Sequence, residues 1–397
     1  MMSEKTHYSG SEWVHSTIDE VCIIEYGTRV TRKRDAGTIY PVYGGGGATF
    51  QMDSYNRENR MLVSRFAMSE TCTRFVEGKF FLNDSGLTLR PKDDCEILPI
   101  FLDWLIHSLN DEIYSLGRGT AQKNLNMNEF RELSIHYPKD ISEQKRIVSI
   151  IDEAFNKISK STEAMDDNLR NTLNFLISTR EQCFTPRPHW LQSQLDDLCN
   201  IKHGFAFKSQ FFSQLGDFVL LTPGNFFETG GYRDRGEKQK FYTGEIPEGY
   251  ILEKGDLLVA MTEQAAGLLG SPIIVPEGDR FLHNQRLGLI NWNGSQTMSN
   301  EFVYHFFNTH TVRQELHNTG TGIKVRHTSP TKIGNLKIAI PPTIEEQQEI
   351  ADKLNSIEQE VSNLGLLYEN KTAIMSQLKQ SILQEAFNGN LTKEITA

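Results

Sequence analysis

One segment of this chain is written twice, and that repetition limits what the chain can fold into more than any other feature. Trp13-Val-His-Ser-Thr-Ile-Asp-Glu-Val-Cys22-Ile-Ile-Glu-Tyr-Gly27 returns as Trp190-Leu-Gln-Ser-Gln-Leu-Asp-Asp-Leu-Cys199-Asn-Ile-Lys-His-Gly204, at an offset of 177. A second match closes each copy at an offset of 203: Gly117-Arg-Gly119 lies on Gly320-Thr-Gly322, and Phe130 to Pro138 lies on Ile333 to Pro341. The second copy therefore carries 26 more residues between shared ends. Constant ends with unequal middles describe a fixed scaffold that displays variable loops.

The offset of 203 continues into Ile141-Ser-Glu143-Gln144 and Ile344-Glu-Glu346-Gln347. Asp140 with Glu143, and Thr343 with Glu346, give the capping-box arrangement, complete in the second copy and with Asp as cap in the first. No proline follows until Pro186 in the first copy, and none follows Pro342 in the second. Each segment predicts a helix of about 44 residues, roughly 65 Å long. The second helix has an apolar seam at Ile350, Leu354, Ile357, Val361, Leu364, Tyr368, Met375, Leu378 and Ile382, interrupted only by Lys371. The first begins with Ile147, Ile151, Ala154 and Ile158, then drifts to Met165, Leu169, Leu173 and Leu176. Helices of this length outrun one domain, so the seams predict helix-to-helix packing.

The expected order is a flexible N-terminus at 1–12, a globular domain at 13–139 and a long helix at 140–185. A second domain at 186–342, a second helix at 343–388 and a tail at 389–397 follow. The fold class is α+β, a tandem duplication of a mixed α/β domain plus a long helix. The two helices are expected to pack as an antiparallel coiled coil with pseudo-two-fold symmetry.

The net charge of −10 sits unevenly. The two globular regions carry −3 and −1, whereas the segment from Pro342 on carries −5. Each domain is free to present a basic face. Five scattered cysteines without a CxxC pair argue against zinc and disulfides and suggest a reducing cytoplasm. No apolar run is long enough to span a membrane, and Met1 to Ser11 does not read as a signal peptide.

Catalytic signatures are missing. Gly44-Gly-Gly-Gly47 lacks the Lys-Ser/Thr of a P-loop. Glu77-Gly78-Lys79 has only Asp53 as an upstream acid and reads as a solvated turn, and His305 with His310 lacks metal-ligand spacing. Tyr26 and His203, at equivalent places, read as packing residues. Basic residues cluster in predicted loops: Arg29, Arg32, Lys33, Arg34, Arg57, Arg60, Arg65 and Lys123 in the first domain. Lys202, Lys208, Arg233, Arg235, Lys324 and Arg326 do so in the second. Such side chains hold phosphates, and Arg or Asn reads base edges in the major groove.

The sequence resembles the specificity subunit of type I restriction-modification systems. The resemblance rests on Tyr40 to Gly47 with Met61-Leu-Val-Ser-Arg65, on Gly204 to Ser209 with Gly255-Asp256-Leu-Leu, and on His283-Asn284-Gln285-Arg286-Leu287. The helix ends Ile344 to Gln347 and Glu385 to Leu391 complete it. Phe66-Ala67 stands where the family usually shows a residue and then Gly. The resemblance implies a non-catalytic reader of double-stranded DNA, with each domain taking one half of an asymmetric bipartite target and the helices setting the gap. Asn284, Gln285 and Arg286 join the candidate DNA-binding set on this basis. Ile147, Ile151, Ile158, Ile350, Leu354, Ile357, Val361, Leu364, Leu378 and Ile382 are the expected helix-pairing or subunit-interface positions. Implied partners are two modification subunits and restriction subunits. S-adenosylmethionine, ATP and Mg are expected on those partners and no cofactor or metal on this chain. A scaffold with two protein-binding domains on a helical strut is the alternative.

Overall fold

The computed structural model describes residues 12–120, 122–263, 267–294, 298–322 and 324–391. The expected flexible N-terminus, apart from Glu12, and tail residues 392–397 lie outside the described residues. The long helices are Ile141–Cys183 and Ile344–Phe387, of 43 and 44 residues. Asp140 Oδ1 accepts from the Ser142 amide, and Thr343 Oγ1 from the Glu346 amide, which caps both. Pro186 and Pro188 follow the end of the first helix, and Gly389 ends the second with φ +71°, a left-handed closure that glycine adopts without strain.

The compact units do not follow the order of the sequence. One comprises Met1–Ala164 together with Glu369–Ala397, and the other Met165–Tyr368. Each long helix thus starts in one unit and ends in the other.

In the first unit the strand Trp13–Thr17 pairs antiparallel with Ser134–Pro138, placing Ser16 opposite Ile135. In the second, Leu191–Gln194 pairs with Lys337–Ile340, placing Ser193 opposite Ile338, the same register. Each strand runs into a one-turn helix closed by a capping box, Thr17 with Glu20 and Gln194 with Asp197. The duplicated cysteines open the next strands. Cys22 sits opposite Pro91 and Cys199 opposite Trp292, and both thiols are buried.

The middles diverge. The first unit holds one six-stranded sheet in the spatial order Cys22–Tyr26, Gly86–Pro91, Arg57–Ser64, Thr73–Leu82, Tyr40–Tyr43, Ala48–Met52. The second splits its strands into two four-stranded sheets. One is Cys199–His203, Leu287–Trp292, Leu257–Ala260, Pro272–Ile274; the other is Phe212–Ser213, Phe241–Tyr242, Phe218–Leu220, Phe281–Leu282. The first three strands of the six-stranded sheet match the first three of the former, so the scaffold persists while the rest is rebuilt. Glu77-Gly78-Lys79 lies inside the strand Thr73–Leu82, beside a register shift, rather than in a turn between strands. Asp53 is occupied there by the amide of Thr38, 2.8 Å away.

The helix starts are locked by a buried glutamine. Gln144 Oε1 accepts from the Leu98 amide at 2.8 Å, and its Nε2 donates to the carbonyls of Glu96 and Pro138. Gln347 repeats this with the Ser299 amide at 3.0 Å and the Pro341 carbonyl. Two turns on, Trp104 donates to Asp152 at 2.9 Å, and His305 to Asn355 at 2.8 Å. The other end of each helix is held by an aromatic plug from the opposite copy. Phe387 packs on Phe101 with centroids 5.3 Å apart, and Phe184 on Phe302 at 4.8 Å.

Inside each unit the paired helix segments run antiparallel. Phe155 lies under Lys379 while Ile147 and Ile151 share a core with Leu383 and Phe387. In the other unit Arg180 meets Glu358 while Cys183 shares a core with Ile350 and Leu354. Of the seam residues, Ile147, Ile151, Ile158, Ile350, Leu354 and Val361 are buried, and Ile357, Leu364 and Ile382 half-buried. Leu378 does not pack in the helix pair: it is 44% exposed, and the inward face there carries Lys379, Ile382, Leu383 and Ala386. A strict seven-residue repeat drifts about 20° per heptad against an α-helix, so the seam slips by one residue near the far end.

Gln144→Ala and Gln347→Ala each leave buried backbone groups unpaired. Each should destabilise its own unit by about 2–3 kcal/mol in denaturant titration, with separate transitions resolved by tryptophans on the two units.

Candidate nucleic-acid interface

Each scaffold gathers its loops at one edge through backbone hydrogen bonds that repeat in both units. Gly27 and Gly204 sit so close to neighbouring chain that a Cβ would come within 1.8 Å and 2.0 Å of the carbonyl oxygens of Asn83 and Asn284. Those two asparagines are equivalent. Asn83 Oδ1 accepts from the Ser85 amide at 2.8 Å, and Asn284 Oδ1 from the Arg286 amide at 3.1 Å, forming the same Asx turn. The Arg65 amide donates to the Ser85 carbonyl and the Leu125 amide to the Arg65 carbonyl. In the second unit the Met261 amide donates to the Arg286 carbonyl and the Thr328 amide to the Met261 carbonyl. Gly119 and Gly322, at φ +119° and +107°, turn the chain back in both.

These equivalences show which residues trade places. The offset is 177 at the shared Cys, 196 at Arg65 and Met261, 201 at the asparagines and 203 at the Gly-x-Gly turn. Most of the 26 added residues therefore precede Leu257. Arg65 in one unit stands where the other has buried Met261, Ser85 where it has exposed Arg286, and Lys123 where it has Arg326.

The first unit brings an aromatic and cationic set to this edge. The Arg65 guanidinium lies over Tyr26 at 4.9 Å and Phe66 at 4.6 Å, and Lys123 lies 3.9 Å from the Tyr114 ring centre. Tyr26 is 41% exposed and His203 is exposed, so neither is the packing residue the sequence suggested. Tyr26 Oη also accepts from Arg131, a cation that sequence reasoning passed over. Ala67 adopts φ +51°, the left-handed conformation that the family's usual glycine would take without strain.

Arg29, Arg32, Lys33 and Arg34 are exposed between the strands Cys22–Tyr26 and Tyr40–Tyr43. Arg32 donates to the Thr49 carbonyl, and Arg34 pairs with Asp35. Arg57 and Arg60 turn inward instead. Arg57 donates to Thr88 Oγ1 at 2.9 Å and to the carbonyls of Asn56, Glu25 and Tyr26. Arg60 donates to the Leu89 carbonyl and faces Asp103, whose carboxyl burial pushes up to about 6 even with that cation opposing. Both sit on the strand Arg57–Ser64, and alternation along a strand sends some charged residues into the fold.

In the second unit Lys208, Arg233, Gln285, Arg286 and Lys324 are exposed, and Arg233 lies 5.5 Å from the Phe227 ring centre. Lys202 donates to the Gly249 carbonyl over Tyr250, and half-buried Arg235 packs on Gly224. Arg326 is tied to the His317 carbonyl and lies near buried Glu263, while Asn284 is spent on its turn. Beneath this loop His283 is wholly buried and donates to the Leu287 carbonyl at 2.9 Å. Burial holds it neutral, depressing its pKa to about 4.

Among the described residues no group of three or more His, Cys, Asp and Glu is placed to hold a metal, and no helix is long and apolar enough to cross a membrane. The duplicated scaffold thus carries cation-bearing loops that differ between its two copies. The chain belongs to the type I restriction modification DNA specificity domain family, whose model matches residues 10–165 and 189–380. The EcoBI type I restriction enzyme specificity subunit of Escherichia coli is 29% identical over 243 residues, covering 61% of this chain and 45% of that protein. A putative type I specificity subunit of Mycoplasma genitalium, S.MgeORF438P, is 24% identical over 254 residues, covering 60% and 65%. The match thus spans less than two thirds of either relative. A chain from a structure on complex assembly and conformational transition of the type I R-M system aligns with a TM-score of 0.71 at 17% identity, covering 95% of this chain and 98% of that one. The HsdS subunit of Thermoanaerobacter tengcongensis aligns with a TM-score of 0.55 at 17% identity, covering 98% and 100%. Both likenesses are of fold.

Ala67→Gly should stabilise the first unit by about 1 kcal/mol in chemical denaturation, since it relieves the left-handed alanine. His283 gives a pH dependence of definite sign. Its folded pKa lies below the usual 6.5, so its stabilisation is present above pH 6.5 and is lost as pH falls toward 4. Between pH 7 and pH 5 the second unit should lose about 2 kcal/mol through this group, read as the difference between wild type and His283→Gln in unfolding titrations.

Proposed function

We propose that this chain is the sequence-reading subunit of a type I restriction-modification complex, each unit recognising one half of an asymmetric bipartite DNA target. The observation that carries the reading is the matched scaffold with unlike residues at matched loop positions: Arg65 against Met261, Ser85 against Arg286, Lys123 against Arg326. Guanidinium groups on loops suit guanine edges and phosphates, so units that place them differently favour different bases. The exposed cations Arg29, Arg32, Lys33, Lys208, Arg233, Arg286 and Lys324, with Arg65 and Lys123, form the proposed DNA-facing set. Arg57, Arg60, Asn284 and Arg326 shape it from behind. The two long helices act as the spacer that fixes the gap between half-sites.

In this reading the chain performs no chemistry. Two modification subunits supply adenine methylation with S-adenosylmethionine, and restriction subunits supply ATP- and Mg-dependent translocation and cleavage. The acidic second helix faces those partners. Glu346 is an exception, since it accepts from Trp190 Nε1 at 2.9 Å and pairs with Arg187 inside its own unit. Glu345, Glu349 and Asp352 are exposed, and Asp352 also accepts from Gln348 at 2.9 Å.

Selection from a random duplex library with the modification subunit present should enrich two short, different motifs at one fixed spacing. No enrichment would rule out the reading in favour of a protein scaffold. Arg65→Met, which gives the first unit its counterpart's residue, should weaken or relax one half-site by about 1–3 kcal/mol and leave the other unchanged.

A further inference from the structure

The aromatic plugs cannot tell the two halves of the chain apart, because Phe184 and Phe387 are equivalent residues on equivalent phenylalanines. One helical turn before each plug, the units differ. In the second unit Arg180, 6% exposed, forms an ion pair with Glu358 on the facing helix and donates to the Asn308 carbonyl. The offset of 203 puts Leu383 in the position of Arg180, and Phe155 in that of Glu358. Leu383 and Phe155 share the apolar core of the first unit. The correspondence is spatial as well. Phe155 packs on Trp104 with centroids 4.8 Å apart, and Glu358 lies 3.9 Å from His305, the counterpart of Trp104. The same layer of the helix pair is charged in one unit and apolar in the other.

Two copies of the first half, paired with each other, would bring Arg180 into the place of Leu383, against Phe155 and Trp104. On that stretch of helix Asp152 is already bonded to Trp104, and exposed Glu153 pairs with Lys157. Two copies of the second half would set Glu358 against Leu383 and lose the Arg180 guanidinium, although Lys379, which lies over the Phe155 ring in the first unit, would come near Glu358. The first pairing strands a buried guanidinium, which is strongly unfavourable in a packed helix contact, and because the two halves are present in equal numbers that cost falls on every exchange of unlike for like pairs. Selecting register and partner is the best-attested role of such buried polar groups.

We propose that the Arg180–Glu358 layer is a pairing code: it makes unlike halves pair in preference to like ones, because two first halves would bury Arg180 without a partner. The code needs no DNA and no other subunit.

A protease site inserted between Thr185 and Pro186, in the exposed connection, lets the folded full chain be nicked into its halves. Isotope-labelled and unlabelled nicked protein are mixed, and urea is raised until native mass spectrometry shows mixed-label unlike pairs, which establishes exchange. Wild type should then hold roughly a tenfold or greater excess of unlike over like pairs, the ratio expected from one modest free-energy preference. Arg180→Leu with Glu358→Phe gives both units the apolar layer and should bring like pairs toward about half of the total, the random share. Leu383→Arg with Phe155→Glu gives both units the charged layer and is scored the same way, so one misfolded variant does not end the test. Arg180→Glu with Glu358→Arg keeps a matched pair and should keep the excess. Random pairing in wild type, or an undiminished excess in the folded layer-matched variants, overturns the proposal.

Discussion

Phe387 on Phe101 and Phe184 on Phe302 are the contacts on which the rest of this structure depends. Each long helix begins against its own domain, held by a buried glutamine, and ends as a plug in the other copy's core. Leu383, Ala386 and Phe387 join the core that contains Phe101, Phe130 and Ile147. Cys183 joins the core that contains Trp190, Phe302 and Leu354. Neither domain has a complete hydrophobic interior without the end of the other copy's long helix. The helices are therefore structural parts of both cores, and burial of their ends is what makes their great length stable.

Scaffold and loops answer to different physical demands. The strand pairing of Ser16 with Ile135 recurs as Ser193 with Ile338, and the glycines of the Trp-to-Gly repeat recur because a Cβ would strike a carbonyl oxygen. These are steric and hydrogen-bonding constraints that tolerate little change. Arg65 and Met261 hold the same backbone contacts while one points a cation at two rings and the other is buried. The backbone at that position is fixed and the side chain is free to differ, which is how one scaffold presents two faces.

Much of the scaffold was legible in the sequence because it is local and repeated: the caps at Asp140 and Thr343, the helix lengths and most of the seam. What escaped was long-range. Asn83 matches Asn284, yet the surrounding residues share no pattern, and only the common turn reveals it. Arg57 and Arg60 looked like the other loop arginines because charge alone does not tell which face of a strand a residue occupies. The exchange of helix ends was also hidden, since an apolar seam specifies a partner surface without saying which core that partner belongs to. Leu378 fell on the wrong side because a heptad count was carried past the point where helical pitch had moved the seam.

The exchange of helix ends has a consequence for the order in which a ribosome-bound chain can be finished. The unit that contains the first domain needs residues from Glu369 onward, whereas the other is complete once Tyr368 is available. The domain made first is closed last. Until the final helix emerges, the apolar surface around Phe101 lacks Leu383, Ala386 and Phe387, and the nascent chain carries it exposed through the synthesis of the second domain.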